Sequence, residues 1–217
     1  MGVTIRNGAD NIWQRQFQKN TEGSLMLQTV RRAALCAGIA VSAILGGCAG
    51  PAPNYAPSID NVEVLKKIGG NTAVKTGVID VAPGLPGGTS MALRANTMVS
   101  PVGKNYGDYI AAALRQELEL AKLYSPQSDI EISGTLLRNN IDAGNVSINS
   151  GQIEARFLVK ANGRVLFDKI KRTERKWESS FAGAVAIPLA ANNYPLMVQA
   201  LVSALVTDPD FVKAIRN

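Results

Sequence analysis

Two thiols, Cys36 and Cys48, and no histidine bound the chemistry open to this chain of 217 residues. Without an imidazole, histidine-based triads, histidine metal sites and histidine acid-base catalysis are excluded. No GxSxG, Walker loop, GxGxxG, HExxH or CxxC pattern occurs, so the other common catalytic frameworks are missing too. Carboxylate pairs remain. Glu117 and Glu119, two apart in a helical stretch, point to different sides, while Asp129 and Glu131 share the strand face away from Ile130 and Ile132. Acids that hydrolyse a glycoside must converge across a cleft, so these read as solvated charges. Gly84, Gly87 and Gly88 lie in a turn with Pro83 and Pro86 and with no helix signal after them, which argues against a phosphate cradle. The expectation is no catalytic centre, no metal and no cofactor. Cys48 differs from the rest of the inventory. Leu45, Gly46 and Gly47 precede it, and the small pair leaves an extended backbone open to a peptidase beside a thiol that can be acylated.

The residues around Cys48 support that chemistry. From Met26 the sequence reads MLQTVRRAALCAGIAVSAILGGC, with basic Arg31 and Arg32 followed by an uncharged apolar run from Ala33 to Leu45. The run is too short to span a bilayer and suits a signal-peptide core. Its ending resembles the bacterial lipobox, in which the cysteine is diacylated before cleavage and becomes the new N-terminus. Two chains plus a third on the amine exceed the roughly two signals needed for stable anchoring. Arg31-Arg32 could also suggest twin-arginine export, but the rest of that consensus is poor and ordinary secretion fits better. Residues 1 to 25 show no apolar periodicity and read as an upstream extension, with initiation at Met26 and a signal peptide over 26 to 47. Cys36 is discarded with it and Cys48 becomes a thioether, leaving no disulfide. Ala49 stands where an aspartate would favour inner-membrane retention, so the lipoprotein rule implies the outer membrane, with palmitate among its lipids.

The net charge of +6 divides evenly at that cysteine. Residues 1 to 48 hold five Lys/Arg and two Asp/Glu, and the remainder hold 18 and 15, so the mature part is only mildly basic. Its one basic cluster, Lys169, Lys171, Arg172, Arg175 and Lys176, alternates along a strand and divides between both faces. That is a solvated strand end, not a nucleic-acid surface.

The elements that must carry any site follow from periodicity. AGPAPNYAPS after Cys48, with three prolines in ten residues, reads as an extended tether over 48 to 61, with a single domain over 62 to 217. Lys75 to Val81 and Met91 to Val99 read as strands, separated by the turn PGLPGG. Asn105 to Tyr124 is the clearest helix, with Ile110, Ala113, Leu114, Leu118 and Ala121 at three-and-four spacing. Alternation along DIEISGTLLR and QIEARFLVK marks two strands, and Asn162-Gly163 announces a hairpin into Arg164 to Trp177. Ser179 to Thr207 is uncharged but broken by Pro188, Asn192, Asn193 and Pro195. It reads as an apolar loop into a buried helix capped at Asn192 or Asn193. Asp208-Pro209-Asp210 starts a last short helix. This order disfavours a doubly wound parallel sheet; the fold class is α+β, one antiparallel sheet with two main helices on one face.

A partner surface follows from the hairpin. With a two-residue turn, Val159 pairs with Leu166, and Leu158, Val165 and Phe167 point away from the helices. With three residues, Val159 pairs with Phe167, and Leu158, Leu166 and Ile170 point away. Either register leaves apolar side chains on a face that is usually polar, unless the segment between Val62 and Val81 folds over it.

The LGGC lipobox, the strand DIEISGTL after the first helix, the Asn162-Gly163 hairpin and the ending ALVTDPDFVKAIRN together resemble the YajG-type family of bacterial outer-membrane lipoproteins, over most of residues 75 to 217. The resemblance implies an α+β domain without catalytic activity. The function expected is a non-enzymatic, periplasm-facing accessory or binding component of the cell envelope. It would be held to the membrane by its lipid, and would contact an envelope protein or a second copy of itself and no nucleic acid. The alternative is a lipid-anchored hydrolase of cell wall or lipid.

Overall fold

The computed structural model describes residues 49 to 69 and 72 to 216. Leu45, Gly46, Gly47 and Cys48 therefore lie outside the described residues, as do the stretches expected to be an upstream extension (1 to 25) and a signal peptide (26 to 47). In chain order the elements are β1 (Ala49–Pro51), α1 (Ile59–Lys66), β2 (Lys75–Val81), β3 (Ser90–Leu93), β4 (Asn96–Val99), α2 (Tyr106–Leu120), β5 (Ile130–Asp142), β6 (Ile148–Ala161), β7 (Arg164–Glu178), α3 (Gly183–Val206) and α4 (Pro209–Ile215).

The alternating residues Ile130, Ile132 and Leu136 of β5 and Ile153, Ala155, Phe157 and Val159 of β6 are all buried, so one face of the sheet is the core face. The sheet order is β2-β5-β6-β7. β5, β6 and β7 are antiparallel, but β2 runs parallel to β5. Between them the chain passes through β3, β4 and α2, and a connection of that length returns it to the end it left, which parallel pairing requires. A second, small sheet has the order β1-β4-β3. The class is α+β as expected, and α2, α3 and α4 pack on the four-stranded sheet with α1 against α2 and α3.

Three local expectations change. The run Met91 to Val99 is a tight hairpin, because Arg94 adopts a left-handed φ of 57° and turns the chain back on itself. The proline-rich stretch is extended, but it is docked and does not hang free. Residues Ala49 to Pro51 pair in parallel with Thr97 to Val99, the Ala52 amide donates to the Val99 carbonyl at 2.8 Å, and Ala52 and Tyr55 are buried. Among the described residues the packed body thus already includes Ala49, ahead of Val62. Finally, α3 is one continuous helix containing Pro188 and Pro195. Burial of Ala186, Ala190, Tyr194, Met197, Val198, Leu201, Val202 and Leu205 holds it against the sheet despite the two missing amide donors, since packing outweighs propensity. That helix is long and apolar enough to cross a membrane, yet half of it is core.

The other helices behave as their sequences dictate. Asn105 caps α2 by accepting from the Asp108 amide at 3.0 Å, and Tyr106, Tyr109, Ile110, Ala113, Leu114 and Leu118 form its buried stripe. The helix ends at Leu120, short of Tyr124, because Lys122 turns left-handed (φ 61°) and Leu123 is drawn into a backbone bond with Val74. Gly107 lets α2 lie against β2, since a Cβ there would collide with the Ile79 carbonyl. Asp208 caps α4, with Pro209 in its first turn.

Candidate interaction surfaces

The hairpin expected at Asn162-Gly163 forms a two-residue turn, with φ values of 52° and 78°, and Ala161 faces Arg164 across it. One step further in, a bulge shifts the register, so Lys160 pairs with Val165 but Val159 pairs with Phe167. The single extra residue reverses the facing of everything beyond it. Phe167, expected on the outer face in the two-residue register, is therefore core: it is 4% exposed and meets Phe211 of α4 edge-on, with ring centroids 5.8 Å apart. Leu158 is half-buried on the outer face opposite Asp168. Val165 and Ile170 are exposed there, at 48% and 56%.

The rest of that outer face carries ion pairs. Arg156 grips Asp168 through Nε at 2.6 Å and Nη2 at 2.5 Å, holding the Asp168 carboxyl below its ordinary range. Lys75 faces Glu131 at 3.7 Å and Arg172 faces Glu174 at 3.6 Å. The segment that could have covered the face does not, because α1 packs on α2 and α3. Leu158, Val165 and Ile170 are thus apolar members of an open, mostly charged surface.

The basic cluster of β7 does divide between the faces. On the helix side, Lys171 reaches Asp208 at 2.5 Å, and Lys169 reaches Asp208 at 3.0 Å and Asp210 at 2.7 Å. Partial burial pushes the Asp208 carboxyl up, but hydrogen bonds from Lys171, Lys169 and the Asp210 amide outweigh it and hold the group well below the usual carboxylate range. Arg175 donates through Nε to Asn193 Oδ1 at 2.8 Å.

The weighed acids separate as well. Glu119 is exposed and paired with Arg115 at 2.7 Å, Asp129 is exposed, and Glu117 is fully buried. Glu117 Oε1 accepts from the Tyr55 hydroxyl, the Ser58 amide at 3.0 Å and Asn61 Nδ2 at 3.2 Å; Oε2 has no partner among the described residues. Burial raises the Glu117 pKa, and the three donors oppose that rise. The sequence carried a sign of this, because Glu117 falls within the apolar stripe Ile110, Ala113, Leu114. Among the described residues no group of three or more acids, cysteines or histidines could hold a metal ion.

Two further features were not anticipated. Among the described residues Arg94 has no carboxylate partner; its guanidinium donates to the carbonyls of Ala143 (2.8 Å), Phe181 (3.1 Å), Asn145 (3.2 Å) and Ser180 (2.7 Å) and to Ser179 Oγ (3.3 Å). It thereby ties the β3-β4 turn to the β5-β6 and β7-α3 loops. At the loops it joins, Phe181 is 87% exposed, Val185 55%, Val146 52% and Ile148 50%. Only the uncharged run from Ser179 hinted at this end.

No family model matches the chain, and no curated protein matches it. Among solved structures, XCC0632 from Xanthomonas campestris, of family DUF330, aligns with a TM-score of 0.51 at 12% identity, covering 76% of this chain and 96% of that one. A lipoprotein candidate from Caulobacter crescentus aligns with a TM-score of 0.41 at 9% identity, covering 71% and 97% of the two chains. CT253 from Chlamydia trachomatis aligns with a TM-score of 0.40 at 11% identity, covering 65% and 98%. The class defined here is a helix-backed, mixed-sheet α+β domain. The particular architecture it shares is that of XCC0632, and the likeness is one of fold.

Proposed function

We propose that this protein is a non-enzymatic lipoprotein of the bacterial outer membrane, similar to the YajG type, that faces the periplasm and acts through contacts with an envelope protein or a second copy of itself. The observation that carries this reading is the position of Leu45-Gly46-Gly47-Cys48 directly before Ala49, which is already paired in a strand of the folded body. Cleavage before Cys48 would leave every described residue from Ala49 onward attached to the acylated cysteine. The outer sheet face around Leu158, Val165 and Ile170 offers the contact, since apolar side chains among bidentate and single ion pairs suit a partner with a small apolar centre and a charged rim.

Chemical crosslinking of the lipoprotein in intact envelopes tests this. One defined partner, or a dimer, should be captured from the parent chain and lost from Val165→Asp and Leu158→Thr, both still folded by their melting curves. Equal capture from all three would remove this face from the reading. Turnover of peptidoglycan, ester or phosphoester substrate, abolished by one Ser, Asp or Glu substitution, would overturn the non-enzymatic assignment.

A further inference from the structure

We infer that the domain sits end-on against the bilayer, with the end that carries Phe181, Val185, Val146 and Ile148 inserted among the lipid headgroups. The inference rests on acylation of Cys48 and goes beyond it, because a long tether would leave the domain free to take any orientation. No such slack exists here. The residue bonded to Cys48 already belongs to a strand, Ala49 to Pro51 being paired with β4. The following residues are fastened one after another: the Pro53 carbonyl accepts from the Tyr109 hydroxyl at 2.8 Å, and Tyr55, Ser58 and Asn61 all donate to Glu117. Consecutive Cα atoms are only about 3.8 Å apart, so acyl chains on Cys48 bring whatever surrounds Ala49 to the membrane surface.

The surroundings of Ala49 can be traced bond by bond. It lies level with Thr97, beside the β3-β4 turn that contains Arg94. Arg94 in turn holds the carbonyls of Asn145 and Phe181, and Ile148 begins β6 opposite Glu178 at the same end. The Asn162-Gly163 turn closes the opposite end of that sheet. The exposed apolar side chains thus share the end from which the lipid departs. Phe181 is the most exposed of the large apolar side chains described, at 87%, and Val185 lies one helical turn beyond it in a stretch without charge from Ser179 to Thr207. Aromatic and aliphatic groups at headgroup depth add binding in proportion to the apolar area removed from water. A protein partner at this end would have to compete with the bilayer that the anchor holds against it, which is why the occupant assigned is the lipid surface.

A fluorophore reports this directly. Phe181→Cys and, at the far end, Arg164→Cys are introduced into the full chain, purified from membranes and labelled with a polarity-sensitive nitrobenzoxadiazole. The labelled proteins are then reconstituted into vesicles of phosphatidylethanolamine with a minor fraction of phosphatidylglycerol. The label at Phe181→Cys should emit to the blue of that at Arg164→Cys and show a severalfold loss of quenching by aqueous iodide. Equal quenching at the two positions, with the parent chain taking up no label, would overturn the docking and leave the anchor standing. Labelling of the parent chain at Cys48 would overturn the anchor and the docking with it. Protection at Phe181→Cys in whole envelopes but not in vesicles would give this end to a protein and overturn the assignment to lipid.

Discussion

Tyr55 donates its phenolic hydroxyl to Glu117, 62 residues further along the chain, inside the domain. This contact, with those from Ser58 and Asn61, converts a proline-rich leader into part of the folded body. Removing the donor leaves a buried carboxylate short of a partner, and an unmade buried hydrogen bond costs about 1 to 3 kcal/mol. Tyr55→Phe should therefore lower stability by about that much and admit protease near Pro53 and Ala56. Urea unfolding and limited proteolysis check both effects.

Glu117 also sets a pH dependence. Its pKa is raised from an ordinary 4.5, chiefly by burial, so the native state holds its proton to higher pH than the unfolded chain does. The group's contribution is complete below about 4.5 and is lost as pH rises through the raised value in the fold. Glu117→Gln should remove this decline. Urea midpoints of the parent and variant across the acid to neutral range will converge toward low pH and separate above it in the variant's favour; parallel curves would refute the assignment.

Asp208 carries the opposite sign. Its carboxyl is held below its ordinary 3.8 by Lys171 and Lys169, so its contribution is present above 3.8 and falls away as acid takes the group through its lowered value. Asp208→Ala should lose that acid-range dependence, and loss of the α4 cap alone should cost about 1 kcal/mol. Thermal melts at neutral and acid pH separate the two effects.

The bulge between Val159 and Lys160 gives a direct contrast. Phe167→Ala empties a core position and should cost about 3 to 5 kcal/mol, whereas Val165→Thr, two residues away on the open face, should stay within about 0.5 kcal/mol of the parent. Comparable losses from both would mean that the register is wrong.

Arg94 should resist conservative replacement. Arg94→Lys keeps the charge but gives up the planar fork that reaches two separate loops, so it should loosen the hairpin nearly as much as Arg94→Ala. Faster amide exchange at Asn145, Phe181 and Ala182 in both variants is the expected readout.

Cys48 should carry the lipid. Mass spectrometry of membrane-extracted protein should find an acylated N-terminal peptide beginning at Cys48, and Cys48→Ser should abolish processing and membrane attachment. A mature protein that retains residues 1 to 47 would sink the anchor.

Periodicity and local chemistry were enough, from the sequence, for the alternating strands β5 and β6, the Asn105-capped helix, the Asn162-Gly163 turn and the capped start of α4, because each is decided by neighbours within a few residues. What a residue meets across the fold is not legible in that way. Only the tertiary structure decided that β2 runs parallel to β5, that two prolines ride inside α3, that Phe167 turns inward after a one-residue bulge, and that the leader folds back onto Glu117. In each case a long-range contact outweighs the local preference: core burial holds α3 together across its missing amide bonds, Phe211 offers Phe167 a dry partner, and Glu117 supplies the acceptor that a free tether would have sought from water.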